Sequence, residues 1–207
     1  MYFDLHCRFW SKARWSNYLF ADEAFFWTKA QTGGRRVRRP VGTRYDPKFT
    51  KTEFKKPQKL MFWAGITSSG RRISSFLDQN EMMNSVNFVK VLKKARAPAM
   101  LRKNKLTLLQ DRATPHISKY TSSFMKSEGF KAKFIPGTSP DFMPVENLFA
   151  RMKQILENRQ TRTMDELKAE VRRAWLSLPK SYLRSLIESM PNRMRLAVES
   201  QGDPTKY

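Results

Sequence analysis

The sequence predicts an α/β domain in which a mixed five-stranded sheet is flanked by helices. Apolar runs bounded by Gly, Pro or Asp recur along the chain, as is typical of strands in a buried sheet. Amphipathic segments with helical spacing separate the later strands. The 207 residues, 40% of them hydrophobic and 15 of them Phe, suffice for one core. These observations predict the order β-β-β-α-β-α-β-α.

The first three strands are expected to form a meander. Residues 18–22 read as a strand that ends on acids, and residues 25–27 could continue it. Residues 59–67 are apolar on both faces, which predicts a central strand. The turn at 68–71 then returns residues 72–77 as an antiparallel partner.

The later elements alternate between helices and strands. The first is a helix capped by Asn84 or Ser85 and ended or kinked by Pro98. A strand at 106–110 follows, and then a helix at 117–127 that is stopped by Gly129. The last two are a strand at 131–135 and a helix that begins near Pro144. Two more helices are expected in the tail, and Thr163 with Glu166 forms a capping box at the start of the first.

Charge divides the chain into regions and predicts its partner. A net charge of +22 predicts attraction to a polyanion such as nucleic acid, although ribosomal-type and membrane-surface proteins share this property.

Residues 1–16 form a basic, aromatic lead-in with a short helix, and residues 17–207 form the main domain. Within it, residues 28–59 form a basic insertion, which is either a solvated loop or a loop that contacts phosphates. Its candidate DNA-binding residues are Arg35, Arg36, Arg38, Arg39 and Arg44.

Cysteine content and hydropathy exclude several classes of protein. The single cysteine, Cys7, excludes an internal disulfide and a zinc site built from several thiolates. No apolar run approaches the length of a membrane span, and the N-terminus lacks a secretory apolar segment. We therefore expect a soluble, intracellular protein with no membrane partner.

Two acids stand where a metal site that handles phosphates would need them. Asp111 follows a predicted strand, and Glu146 lies in the first turn of a predicted helix, with 34 residues between them. Magnesium prefers hard oxygen ligands and is usually held by one or two carboxylates plus substrate phosphate. The alternative is that Asp111 only ends a strand and Glu146 only complements the helix dipole.

Two motifs carry a resemblance to a known family. The first is Gln110-Asp111 with Ala113 and His116, and the second is Ser139-Pro-Asp-x-x-Pro-x-Glu-Asn-Leu148. Together they resemble the catalytic domain of Tc/mariner cut-and-paste DNA transposases, and the resemblance runs from about Phe9 to Tyr207. It implies a ribonuclease H-like fold with an Asp, Asp, Glu triad.

The resemblance also assigns the site residues. It implies that Asp22, Asp111 and Glu146 are the catalytic residues and that they bind two Mg²⁺ or Mn²⁺ ions. Strand alternation puts Asp22 and Glu23 on opposite faces, so the sequence alone cannot choose between them; the resemblance favours Asp22. His116, Arg112 and Asn147 are then expected to lie behind these ligands.

The implied function is hydrolysis at transposon ends followed by strand transfer into target DNA. The implied partners are double-stranded DNA and, in the active form, a second copy of the chain, in the nucleus. Family members carry paired helix-turn-helix modules ahead of this domain, whereas only 21 residues precede Asp22. A truncated copy is therefore expected. It should bind any DNA duplex with nearly equal affinity, and this affinity should fall steeply as the salt concentration rises. The ending at 189–193 and 202–207 resembles the family's C-terminus and is expected to be complete.

Two departures from the family pattern support a different hypothesis. Arg112 stands where the family usually has Asn, which places a fixed cation beside the metals, and Met143 replaces a polar residue before Pro144. The chain could thus be a decayed or co-opted remnant that only binds DNA. A basic structural RNA-binding protein would explain the charge but not the two motifs.

Overall fold

The computed structural model describes residues 7, 9–28, 40, 57–78, 81–136, 140–159, 161–200 and 205. Within them, one mixed sheet has the strand order β3-β2-β1-β4-β5. The strands are β1 (Tyr18–Trp27), β2 (Lys59–Ile66), β3 (Arg72–Phe76), β4 (Thr107–Gln110) and β5 (Ala132–Phe134). The predicted five-stranded mixed sheet flanked by helices is confirmed.

Strand β1 is the centre of the sheet. It pairs antiparallel with β2 from Phe20, opposite Ile66, to Trp27, opposite Lys59. On its other side it pairs parallel with β4, where Phe20 lies opposite Leu109. The strand runs through the two acids at 22 and 23 rather than ending at them, so both acids have fixed backbone positions.

Helices cover both faces of the sheet. They are α1 (Lys12–Trp15), α2 (Ser85–Lys94), α3 (Ala97–Lys103), α4 (Thr114–Ile117), α5 (Lys119–Ser127), α6 (Pro144–Glu157), α7 (Met164–Ser177), α8 (Lys180–Glu188) and α9 (Met190–Glu199), with a 3-10 turn at Pro140–Phe142. One core holds side chains of α2, α3 and α5 against Leu19, Ala21 and Leu108. The other holds side chains of α6 to α9 against Phe20, Ala24 and Leu109. Alternate residues of β1 therefore face different layers.

Proline and serine place two breaks that differ from the sequence predictions. Asn84 caps α2, as one of the two alternatives expected, and α2 ends at Lys94 before Arg96 turns into a left-handed conformation (φ 56°). Pro98 does not end that helix but lies in the first turn of α3, where a missing N–H costs little. The helix predicted over 117–127 is α5, which begins two residues later because extended Ser118 caps it; the short helix α4 before Ser118 was not predicted.

The tail contains three helices, where the sequence predicted two. The predicted capping box is present: Thr163 Oγ1 accepts from the Glu166 N–H at 3.2 Å, and the Glu166 carboxylate accepts from the Thr163 N–H. Helix α9 was missed because Pro191 reads as a breaker, yet proline is compatible with a first turn.

Other predictions fall partly or wholly outside the described residues. The lead-in contains a short helix, α1, as expected. The described part of the basic insertion excludes 29–39 and 41–56, so Arg35, Arg36, Arg38, Arg39 and Arg44 lie outside the described residues. Among the helices that are described, none is both long and apolar enough to cross a membrane.

Candidate active site

The parallel register of β1 and β4 brings the first two acids together. Phe20 lies opposite Leu109, and Asp22 and Asp111 each stand two residues further along. Adjacent strands are about 4.8 Å apart, and residues two apart share a face. Asp22 and Asp111 therefore lie near one another at this end of the sheet, and the charge of Asp111 contributes to the raised pKa of Asp22.

Helix α6 brings Glu146 to the same place. Its apolar stripe, which includes Val145, Leu148 and Phe149, is buried against the sheet. Glu146 lies in the first turn at the edge of this stripe and is exposed. Its carboxylate interacts electrostatically with that of Asp22.

The carboxyl groups of Asp22 and Glu146 both have raised pKa values. Burial, followed by the charge of Glu23 and then those of Glu146 and Asp111, raises the pKa of Asp22 to about 8. Burial also raises the pKa of Glu146, with Asp111 and Asp141 adding to the shift. Like charges at one point favour neutral forms unless a cation is present. This half of the site therefore holds a proton where a cation would fit.

Asp111 has the opposite environment. His116 Nδ1 lies 2.7 Å from Asp111 Oδ1, and the Ala113 N–H donates to the same oxygen at 3.0 Å. The hydrogen bond from His116 is the largest cause that lowers the pKa of Asp111. Among the described residues, Oδ2 has no hydrogen-bond partner, so it is left for a ligand.

His116 joins Asp111 to Glu23. The imidazole is 2% exposed and packs on the Phe88 ring, with the centroids 4.4 Å apart. Its Nε2 lies 3.2 Å from Glu23 Oε1. Burial alone would lower the pKa of His116, but the two carboxylates outweigh it and raise the pKa to about 10. At neutral pH the ring is therefore an imidazolium that donates to both acids.

The alternation along β1 separates the two acids that the sequence could not distinguish. Asp22 faces α6 and Glu146, whereas Glu23 faces α4 and His116. The contact between Glu23 and His116 was not predicted. The only sequence signal for this contact is the alternation of side chains along the strand. It predicts which face of the sheet Glu23 occupies but does not predict its partner.

The remaining predicted residues lie around the acids. Asn147 faces α9, where its Oδ1 accepts from Arg193 at 2.7 Å. Arg112 is exposed and makes no hydrogen bond or ion pair with the part of the chain that the structure describes. Met143 is buried at the N-cap position of α6, where its side chain makes no capping hydrogen bond.

The carboxylate oxygens suit a hard divalent cation, although the three side chains do not enclose a common position. In the described ranges, no three Asp, Glu, His or Cys side chains stand close enough to enclose an ion as they are. The three carboxylates nevertheless come from β1, from the end of β4 and from α6 and interact electrostatically. Carboxylate oxygen is the ligand type that Mg²⁺ and Mn²⁺ prefer.

The mixed sheet has this strand order, and it carries acids on its central strand, at the end of the next strand and on a facing helix. This arrangement defines a ribonuclease H-like domain of the Asp, Asp, Glu type. The family described as "DDE superfamily endonuclease" matches residues 17–168. The chain is 28% identical over 205 residues to the Tc1 transposase of Caenorhabditis elegans, covering 96% of this chain and 73% of that protein. It is 29% identical over 198 residues to the Tc3 transposase of the same organism, covering 93% and 59%. The chain belongs to the DDE superfamily, as a catalytic domain of the Tc/mariner transposase type.

Solved structures show the same fold. The catalytic domain of the Mos1 mariner transposase superposes with a TM-score of 0.70 at 16% identity, over 99% of this chain and 91% of that one. The Mos1 paired-end complex with the left transposon end gives a TM-score of 0.71 at 20% identity, over 98% and 60%. Another structure of the Mos1 catalytic domain, with raltegravir and Mg, gives 0.67 at 17% identity, over 93% and 87%.

Proposed function

We propose that this chain cleaves DNA at transposon ends and joins the ends to target DNA, using Asp22, Asp111 and Glu146 as ligands for two Mg²⁺ or Mn²⁺ ions. The observation that carries the proposal is that β1, the end of β4 and α6 bring these three carboxylates to one end of the sheet, where burial, and then repulsion from Glu23, Glu146 and Asp111, raises the pKa of Asp22 to about 8. A purely structural cluster would gain nothing from this repulsion. Cations between the acids would remove it.

The acids act as ligands rather than as general bases. When bound, the ions supply Lewis acidity that activates water or a DNA 3′-hydroxyl and stabilises the leaving oxygen. Asp22 would lose its proton when a cation binds, and Asp22 and Glu146 would each present an oxygen to it. Asp111 presents Oδ2, while His116 and the Ala113 N–H hold Oδ1.

His116 is proposed to position Asp111 rather than to touch the scissile phosphate. Its two ring nitrogens are both occupied by carboxylates, and its side chain is almost wholly buried. Such outer partners fix the direction and basicity of a metal ligand. Glu23 in turn fixes the ring from the opposite side.

Double-stranded DNA is the proposed substrate, and a homodimer in the nucleus is the proposed working form. The net charge of +22 supports a polyanionic partner. The Mos1 relatives include a pre-cleavage transpososome, a paired-end complex and a strand transfer complex, which supports assembly on paired ends. The arginines of the insertion, Arg35 to Arg44, remain proposed phosphate contacts.

The test is cleavage of a terminal-repeat duplex with Mg²⁺ or Mn²⁺ as the only divalent ion. Asp22→Asn, Asp111→Asn and Glu146→Gln keep side-chain shape but remove a charged ligand. Each should lower cleavage by about a thousandfold or more, because metal catalysis is worth several kcal/mol. Duplex binding and folding should be unchanged.

Asp165→Asn is the matched control, since Asp165 is an exposed acid in the first turn of another helix, α7. It should cleave like wild type. Wild-type activity in any of the three triad variants would remove that residue from the ligand set.

A DNA-binding remnant is the second candidate, favoured by one observation. Arg112 is exposed directly after Asp111, so a fixed positive charge stands beside one proposed ligand. If the wild-type chain bound duplex DNA but cleaved with neither ion, this second function would replace the first.

A further inference from the structure

A buried arginine lies behind the helix that carries Glu146. Arg193, in α9, is 0% exposed. Its Nη1 donates to the Asp141 carbonyl at 2.9 Å, and its Nη2 donates to Asn147 Oδ1 at 2.7 Å. Its Nε donates to Ser189 Oγ within the tail at 2.9 Å. One guanidinium thus connects the C-terminal helix with two points in the segment 141–147.

Those two points lie on either side of Glu146. Asp141 belongs to the 3-10 turn that leads into α6, and Asn147 follows Glu146 in the first turn of α6. A second link from the tail reaches the same turn, because the Thr205 N–H donates to Asp141 Oδ2 at 2.8 Å. The C-terminal part of the chain therefore holds the entry to α6 at two places.

The start of α6 depends on such outside contacts. Its N-cap residue, Met143, makes no side-chain capping hydrogen bond, unlike Thr163 at the start of α7. The first turn of α6 therefore lacks the hydrogen bond from a backbone N–H to a capping side chain that usually stabilises a helix start. Pro144 fixes one backbone angle at the first position, and packing and Arg193 supply further contacts that direct the first turn.

We infer that Arg193 is a positioning residue that sets the place of Glu146 relative to Asp22 and Asp111. The inference rests on the proposed role of Glu146 as a metal ligand. Burying a charge is a poor way to gain stability, because desolvation offsets most of the attraction and apolar residues pack as well. The planar guanidinium offers what an apolar side chain cannot, two N–H donors at fixed angles to two separate acceptors.

The experiment measures Mn²⁺ binding by titration calorimetry without DNA, and the Mg²⁺ concentration for half-maximal cleavage. The variants are Arg193→Lys, which keeps the charge but loses the planar fork, and Asn147→Ala, which removes one acceptor. Each should weaken Mn²⁺ binding about tenfold, as loss of an outer partner does, and raise the Mg²⁺ requirement similarly. The double variant should bind Mn²⁺ no more weakly than Arg193→Lys alone, because Asn147 acts through its hydrogen bond to Arg193.

Arg195→Lys is the matched control. Arg195 is exposed on the same helix and pairs with Glu199, so its variant should bind Mn²⁺ like wild type. Thermal unfolding identifies variants that fail to fold; if Arg193→Lys fails, Asn147→Ala decides, since Asn147 is only partly buried.

Two results would overturn the inference. One is unchanged Mn²⁺ binding in folded Arg193→Lys or Asn147→Ala, which would leave Arg193 a structural residue. The other is an additive loss in the double variant, which would mean that Asn147 acts independently of Arg193. Glu146→Gln is titrated beside them: if it also bound Mn²⁺ like wild type, the role of Glu146 would fail, and that failure is distinct from failure of the Arg193 link.

Discussion

The two halves of the acid cluster contain the same chemical group in opposite states. Asp111 accepts hydrogen bonds from His116 and from the Ala113 N–H, and its pKa is lowered. Asp22 is buried beside Glu23 and Glu146, and its pKa is raised to about 8. Both acids lie on neighbouring strands of one sheet, so the strands do not cause the difference. The surrounding donors cause it.

The difference indicates how the site is prepared. The Asp111 half is charged and oriented without a cation, because an imidazolium already balances it. The Asp22 and Glu146 half holds a proton, because the pKa of Asp22 is about 8, and it reaches its charged form when a cation replaces that proton. We expect the first half to define the position of a metal ion and the second half to close around it.

Among residues outside the proposed ligand set, the largest expected effect comes from removing the donor that orders Asp111. His116→Ala should lower cleavage at saturating Mg²⁺ by about 10- to 100-fold, because an outer partner of a metal ligand is lost. His116→Asn should keep more activity, since its amide can still donate to Asp111. Cleavage rates of the two variants measured in parallel give the comparison. Equal rates would show that the hydrogen bond is not what matters.

Glu23 supplies the matched test on the other side of the ring. Glu23→Gln keeps an acceptor for His116 Nε2 and should cleave almost like wild type. Glu23→Ala leaves that buried N–H without its partner and should lose activity in the same direction as His116→Ala. Wild-type activity in Glu23→Ala would mean that Asp111 is ordered without help from Glu23.

A smaller effect concerns stability in the absence of metal. The folded-state pKa of Asp22 is about 8 and its ordinary value is 3.8. Between these values the folded protein holds a proton that the unfolded chain has released, so the free energy of unfolding falls as pH rises from about 4 to about 8. Asp22→Asn removes this dependence and should be more stable than wild type at pH 8, by on the order of 2 kcal/mol.

Urea unfolding with a chelator at pH 5 and pH 8 checks this expectation. The gap between variant and wild type should be larger at pH 8. Added Mg²⁺ should then stabilise wild type more than Asp22→Asn, since a ligand stabilises the state that binds it. A gap that did not change with pH would show that Asp22 ionises normally in the folded chain.

The smallest expected effect concerns Arg112. Its side chain is exposed, so its repulsion of a bound cation is weakened by water and salt. Arg112→Asn should lower the Mg²⁺ concentration for half-maximal cleavage by about two- to threefold. An unchanged requirement would mean that the side chain points away from the ions, and a higher one would indicate a phosphate contact.

The fold was largely predictable because its strands are strongly apolar and its helices strongly periodic. The errors came from proline and serine. Pro98 and Pro191 lie in first turns, where proline is compatible with a helix, so α3 and α9 were missed. Ser118 caps α5 and so ends the short helix α4 before it, which was not predicted. These are choices between two permitted local structures, and the neighbouring elements decide them.

The residues of the candidate site could be proposed from the sequence, but their contacts could not. The motifs pointed to Asp111, Glu146 and His116, and the register of β1 and β4 places Asp22 beside Asp111. The contact between Glu23 and His116 joins residues far apart in the chain, and no local pattern contains it. Arg193 is one of 40 basic residues, and nothing in its neighbourhood marks it as buried.

The parallel pairing of β1 with β4 has a consequence for how the protein matures. The two strands come from distant parts of the chain, so their contact forms only after a large loop has closed, and such contacts make folding slow. The acids meet only across this late contact and against α6. A nascent or partly folded chain, although strongly basic and attracted to DNA, therefore has no assembled cutting centre. The topology acts as a safeguard, because strand-breaking chemistry becomes available only to molecules that have completed folding.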